Sequence, residues 1–321
     1  MNTENEILDV VYCLDENYNI QMTTSANSFL QRYKGPVRMH LLHSNPDSVD
    51  ELVKPLKSFE NLISVQKYKF TKNRDFVFPM IDNYHFTEAT YYRLFIHQYL
   101  PTSISKLLYL DPDVIAMQEI TKVIEDTFNE LKNSKHSVAA VNYIESSNSK
   151  NQEMLNRLNM DSKKYFNAGV MFIDYKKWLH FEIGKKLLLY SKEVISKNIE
   201  LQQHDQDILN SYFDGKFYEL EINYNYPILE RFFKKDKKRI ENNSFFIHYV
   251  GKEKPWLLNG IFCNIAKYYQ NSFADLNNDI HFVNDESVDL KKIFKKFKFI
   301  QIFNLIKLFR LIRVLKKYIY L

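Results

Sequence analysis

Apolar runs of strand length, separated by stretches with helix-forming character, constrain this chain more than any other feature. Residues 7–14, 37–43 and 62–70 are such runs, and 23–33 and 48–60 between them read as helices, the second entered through Pro46-Asp47. A strand–helix–strand rhythm of this kind predicts an α/β fold with a mostly parallel sheet covered by helices on both faces. The rhythm continues with a helix over 85–100, ended by Pro101, and strands over 106–110, 137–143 and 170–174. Helices are expected at 181–196 and 207–213 and late strands at 217–223 and 245–250, while 145–152 and the basic stretch 232–239 read as solvated loops.

The run Lys106-Leu107-Leu108-Tyr109-Leu110 ends in Asp111-Pro112-Asp113. Pro112 cannot donate a ladder hydrogen bond, so pairing stops there and both acids fall at a strand end. If the chain stays extended, residues i and i+2 point the same way and the two carboxylates converge at the sheet edge where open α/β folds bind ligands. Two carboxylates about 4 Å apart repel by roughly 4 kcal/mol at an effective dielectric near 20. A divalent cation removes that cost and keeps coordination sites for a phosphate. An Asp-Pro-Asp turn that only ends a strand satisfies the same three letters, so the surrounding residues must decide.

Composition narrows the classes. With only 6 glycines the chain carries no G-x-G-x-x-G and no G-x-x-x-x-G-K, which argues against a dinucleotide fold or a P-loop. Cys13 and Cys263 are the only cysteines and form no C-x-x-C pair, so both read as buried thiols of a reducing compartment. Residues 1–9 lack a basic-then-apolar leader, and no charge-free apolar run reaches the roughly 20 residues that span a bilayer; a cytoplasmic protein is expected. The net charge of +5 is unevenly spread: ten Lys or Arg and no acid lie between 291 and 321, leaving residues 1–290 at −5. A mildly acidic body is a poor nucleic-acid binder. From 299 to 315 apolar pairs alternate with single polar residues, Lys307, Arg310 and Arg313 among them. That pattern suits an interfacial segment on anionic lipid at the inner leaflet, and also a helix packed on the body or a coiled partner surface; the first is expected. The expected organisation is therefore a catalytic domain over 1–265 and a basic, helical membrane-association region over 266–321.

Four separated blocks resemble one family. They are Leu14-Asp15-Glu16-Asn17-Tyr18; Tyr109-Leu110-Asp111-Pro112-Asp113; and Tyr165-Phe166-Asn167-Ala168-Gly169-Val170 with Lys176-Lys177-Trp178 after it. The last is the pair His204-Asp205-Gln206-Asp207-Ile208-Leu209-Asn210 and His248-Tyr249-Val250-Gly251-Lys252-Glu253-Lys254-Pro255-Trp256. In order and spacing they are similar to glycosyltransferase family 8, the retaining, metal-dependent enzymes that include bacterial lipopolysaccharide galactosyl- and glucosyltransferases and the glycogenins.

The resemblance implies a glycosyltransferase A-type single domain using a UDP-hexose donor and a glycan or glycolipid acceptor. Asp111, Asp113 and His248 would hold Mn²⁺ (or Mg²⁺), and Pro112 shapes their turn. Gly251 and Lys254 would meet the donor's phosphates. Cys13, Asp15 and Asn17 would line the uracil and ribose site, and Arg93 would face the diphosphate and sugar. Asn167, Ala168 and Gly169 would wrap the donor sugar. Asp205 would bind sugar hydroxyls beside Gln206 at the reacting face. His85 falls at an acceptor-site histidine. Asn142 stands where the galactosyltransferases carry Asp, which leaves the donor between galactose, glucose and an amino sugar. A neutral amide is a poor nucleophile, so front-face internal return, with Gln206 supporting charge, is favoured over a Gln206 adduct. Two other readings of the residues remain: a phosphohydrolase with an Asp nucleophile, and a non-catalytic, membrane-bound UDP-sugar or glycan-binding subunit.

Overall fold

The computed structural model describes residues 6–71, 78, 87–144, 148–283 and 313. Ten strands run in chain order: β1 (Leu8–Leu14), β2 (Val37–His43), β3 (Leu62–Lys69), β4 (Lys106–Leu110), β5 (Val114–Ala116), β6 (Val138–Val141), β7 (Val170–Asp174), β8 (Tyr218–Leu220), β9 (Tyr226–Pro227) and β10 (Phe246–His248). Seven of them form one sheet in the order β3-β2-β1-β4-β7-β6-β8. Its pairs are parallel except where β7 lies antiparallel to both β4 and β6. The mostly parallel α/β sheet expected from the strand–helix rhythm is thus present, with one reversed strand.

The central strands of the sheet are buried on both sides and mostly apolar, the buried Asp9 and His40 being paired with each other. Val11, Cys13, Leu107 and Tyr109 face one core, while Val10, Tyr12, Leu108 and Leu110 face the other. A strand with both faces covered needs no polar alternation, which is why these runs are continuous. A third, smaller core lies around the sheet β5-β10-β9, with Ile115, Ile247, Tyr249, Trp256 and Tyr269 in it.

Several local expectations differ from the structure. The helix beside β1 begins at Asn19, after a 3-10 turn capped by the Asp15 side chain, four residues ahead of the expected start. Pro55 divides 48–60 into short turns, Pro46–Val49, Asp50–Val53 and Pro55–Ser58, since it has no N–H to continue the ladder. Residues 88–99 coil tightly as a 3-10 segment, Glu88–Phe95, followed by a single α-turn, Ile96–Tyr99. His85 lies outside the described residues.

Both expected loops contain helices. Ser149–Arg157 is one, capped by the Asn148 side chain. Phe233–Asn242 is the other. Phe233 and Ile240, seven apart, fall on one helical face and enter the third core. Each such burial contributes about 1.5–3 kcal/mol. Like charges at i and i+4, as in Lys234 and Lys238, cost only a few tenths. Burial wins, so the basic stretch is helical.

The packed body also runs past residue 265. Helix Ala266–Asn277 buries Tyr269 and Phe273 in the third core and lies along Asn19–Arg32, where Asn27 Nδ2 donates to the Ser272 carbonyl at 2.9 Å. The expected tail therefore shares its first residues with the body. The apolar-basic stretch 299–315 lies outside the described residues apart from Arg313.

Candidate active site

β4 delivers the acidic pair, but a turn brings the two carboxylates together, not an extended chain. Val114 N–H donates to the Asp111 carbonyl at 3.1 Å, closing a β-turn over Pro112 and Asp113. Asp111 N–H donates to the Gly169 carbonyl at 2.8 Å and so ties the turn to the start of β7. β5 leaves the turn at once and pairs antiparallel with β10, with His248 opposite Val114. That register puts an imidazole from far along the chain beside the turn.

His248 Nε2 lies 3.2 Å from Asp113 Oδ1 and 3.8 Å from Asp111 Oδ2. One ligand atom from each of the three residues falls within 4.8 Å of the other two. His248 Nδ1 sits 3.1 Å from both Asn167 Oδ1 and Asn225 Oδ1. With acceptors on that side, Nδ1 carries the hydrogen and Nε2 directs its lone pair at the carboxylates. Three lone-pair donors then face one point, which is stable only with a proton or a cation between them. Two carboxylate oxygens and one oriented imidazole are a fitting set for a divalent ion such as Mn²⁺ or Mg²⁺, and an ion there would compete with the proton.

Lys254 adds a fixed charge. Its ammonium reaches Asp113 Oδ2 at 2.5 Å and the Tyr249 carbonyl at 2.6 Å. Burial works to raise the Asp113 carboxyl, but Lys254, and then His248 when a proton sits on its Nε2, outweigh it and hold the group well below the ordinary carboxylate range.

Arg93 is nearly buried between two acids. Its NH2 lies 3.0 Å from Asp111 Oδ1 and its Nε 2.7 Å from Asp205 Oδ2; the latter contact is ionic and lacks hydrogen-bond alignment. Its NH1 donates to the Ala168 carbonyl at 2.8 Å, and its guanidinium lies 4.4 Å from the centre of the Tyr109 ring. Burial opposes its charge, yet Asp111 and Asp205 keep it protonated. Burial lifts the Asp205 carboxyl to about 7, with Arg93 pulling it down and Asp111 adding to the rise.

Gln206 is held at both ends of its amide. Oε1 accepts from Ala168 N–H at 2.9 Å, and Nε2 donates to the Tyr165 hydroxyl at 3.2 Å. The Tyr165 hydroxyl in turn donates to Asp207 Oδ1 at 2.6 Å. Asn142 Oδ1 accepts from Tyr165 N–H at 3.2 Å, so this amide braces the 165–169 segment. Gly169 has a reason within the protein itself to be small. A Cβ there would sit 2.3 Å from His248 Cε1, so the imidazole occupies that space.

The structure therefore brings Asp111, Asp113, His248, Lys254, Arg93, Asp205, Gln206 and 167–169 into one connected cluster. Asp15 and Asn17 stand at the end of β1, where Asp15 Oδ1 accepts from Asn17 N–H at 3.0 Å. Cys13 is buried in that strand, and burial pushes its thiol up. Gly251 is exposed at φ +78 with open space around it, a backbone that other residues rarely adopt. Sequence reasoning missed Asn225. Besides facing His248, its Nδ2 donates to Asn167 Oδ1 at 2.8 Å, locking the amide pair that orients the imidazole. Its only signal was two Asn in Asn223-Tyr224-Asn225-Tyr226-Pro227, which reads as an ordinary polar loop.

This sheet with its carboxylate–imidazole cluster has the architecture of glycosyltransferase A-type proteins. The crystal structure of the galactosyltransferase LgtC in complex with donor and acceptor sugar analogues superposes with a TM-score of 0.65 at 24% identity, over 87% of this chain and 98% of that one. The family model for glycosyl transferase family 8 matches residues 9–260, and the chain belongs to that family. Among its relatives are general stress protein A of Bacillus subtilis, 27% identical over 79% of this chain and 88% of that protein. A lipopolysaccharide 1,2-glucosyltransferase of Escherichia coli is 27% identical over 79% of this chain and 74% of its own length.

Proposed function

We propose that this family 8 glycosyltransferase is a retaining hexosyltransferase that moves galactose or glucose from a UDP-sugar, with a divalent metal, to a bacterial surface-glycan or lipid-linked acceptor. The observation that supports it most is the meeting of Asp111, Asp113 and His248 with ligand atoms within 4.8 Å, the imidazole oriented by Asn167 and Asn225. The acceptor class follows the relatives that transfer glucose or galactose to lipopolysaccharide.

A Mn²⁺ or Mg²⁺ ion on these three residues would supply Lewis-acid stabilisation of the departing diphosphate. Lys254 would add a point charge to the same phosphates, at the cost of its contact with Asp113. Arg93 bridges Asp111 and Asp205 and holds them side by side, so one acid can serve the metal and the other the sugar hydroxyls. Gln206 cannot swing freely, because both ends of its amide are held; its Oε1 keeps one lone pair to face positive charge developing at the sugar. That fixed dipole suits front-face return of the acceptor hydroxyl. Asp15 and Asn17 would take the uracil and ribose at the β1 end. Localisation is proposed as cytoplasmic and peripheral to the inner membrane face; no helix among the described residues is long and apolar enough to cross a bilayer.

The test is UDP release from UDP-glucose, UDP-galactose and their N-acetyl forms, with Mn²⁺ and with EDTA. One hexose donor should turn over, stop with EDTA and resume with Mn²⁺, and the product anomer should match the donor's by NMR. Turnover unchanged by chelation, or inorganic phosphate released without UDP, would overturn the proposal.

A further inference from the structure

Helix Phe233–Asn242 presents an outer surface that the sugar-transfer chemistry does not use. Lys234, Lys235, Lys237 and Lys238 are exposed, and none of them is ion-paired among the described residues. Other helical lysines do find partners: Lys185 pairs with Glu182, Lys197 with Glu193, and Lys267 with the helix's own Glu241. The unpaired cations are also not alone. Phe232, just ahead of the helix, is 47% exposed with the Arg231 guanidinium 4.7 Å above its ring. Tyr143, 42% exposed, lies within reach of the Arg231 charge.

The patch borders the candidate active site. Tyr143 N–H donates to the Tyr165 carbonyl at 2.8 Å, next to the segment that holds Gln206. On the other side, Arg231 follows Asn225 by six residues in a segment anchored to β10, where Ile228 N–H donates to the His248 carbonyl at 2.9 Å. Exposed aromatic rings among unpaired lysines are the makeup of surfaces that rest in a lipid headgroup layer, rings at the interface and cations on anionic heads.

We propose that the face formed by Tyr143, Arg231, Phe232, Lys234, Lys235 and Lys238 docks the folded body on an anionic lipid bilayer. This contact is distinct from the basic stretch after residue 290. It turns the mouth of the cluster toward the membrane, and only that consequence rests on the lipid-linked acceptor proposed above; the docking itself requires no sugar.

Sedimentation of the full chain with phosphatidylcholine vesicles, with and without phosphatidylglycerol, tests it. Each cation near anionic lipid is worth about fivefold in partitioning. The triple variant K234Q/K235Q/K238Q should therefore lose at least about tenfold on anionic vesicles. K57Q/K122Q/K192Q, an equal charge change elsewhere on the surface, should lose less than about twofold. F232S should weaken binding even in high salt, where the lysine effect shrinks. Circular dichroism melts should match wild type, since the lysines repel one another and support no contact. Equal losses in the two triples would reduce the effect to net charge and overturn the proposal, as would unchanged binding in all variants. Unchanged vesicle binding together with slower transfer to an anionic soluble acceptor would assign the face to the acceptor glycan instead. UDP release without vesicles reports on sugar transfer alone, so either reading fails independently.

Discussion

Among the described residues, two clusters that each join Asp, His and a basic side chain at opposite ends of the main sheet differ in balance. At one end of the sheet, Asp9 accepts from Arg38 Nε at 2.6 Å and contacts His40 Nε2 at 2.7 Å, while His40 Nδ1 meets the Tyr68 hydroxyl at 3.0 Å. One carboxylate faces one guanidinium, and every polar atom of the imidazole is used within strands β1, β2 and β3. At the other end, three carboxylates (Asp111, Asp113 and Asp205) face two fixed cations, Arg93 and Lys254, and the imidazole turns a lone pair toward the acids. A closed, matched set holds strands together. An excess of electron pairs around one point is an unfinished set that a cation completes. The residue types are nearly the same in both; the count of acceptors against donors separates a structural network from a ligand site.

Substitutions should divide along that line. The largest effect is expected at Asp113→Ala, which should cut UDP-sugar turnover by about 10³-fold or more, the scale of several kcal/mol of charge stabilisation. Mn²⁺ titration followed by electron paramagnetic resonance should show binding lost, and the melting curve should fall as well, since Lys254 loses its buried partner. Asp9→Ala should lower stability and spare the metal. Breaking a buried pair costs about 3–5 kcal/mol, and the part-exposed Arg38 reduces this to about 2. Urea melts should record that loss while Mn²⁺ affinity stays at the wild-type value. If Asp9→Ala also abolished Mn²⁺ binding, the division between the clusters would fail.

Smaller effects sharpen it. Asn225→Ala should weaken Mn²⁺ by about 10–100-fold by freeing the imidazole, without removing a ligand. The mildest should be a pH slope from Asp205. An acid that titrates near 3.9 unfolded and about 7 folded favours folding when protonated, so metal-free stability should fall as pH rises from about 4 to 7. Asp205→Asn should flatten that slope; the same slope in the variant would show that another group carries it.

What the sequence revealed follows what local physics controls. The runs at 37–43, 106–110 and 170–174 coincide with β2, β4 and β7, because strands covered on both faces are apolar over most of their length. Asp111, Asp113, His248 and Lys254 were singled out as a set, and the structure gathers them. What stayed hidden depends on distant partners. Helix Phe233–Asn242 shows only two apolar residues on its inner face, and what they pack against comes from β5, β10 and residues past 265. Asn225 matters only because β10 runs beside β9 and brings His248 to it. Gly169 stood out only as part of the 167–169 block, and the ring that leaves it no room for a side chain comes 79 positions later.

The β5–β10 pairing has a consequence for the growing polypeptide. At translation speeds of about 5–20 residues per second, the main sheet is complete in sequence once β8 has emerged. Only when His248 follows can three ligands close on an ion. Ribosome-bound or proteolysed fragments that stop short of it can fold much of the sheet but lack the third ligand. The three residues therefore come together in one step, when His248 emerges after the main sheet is complete in sequence.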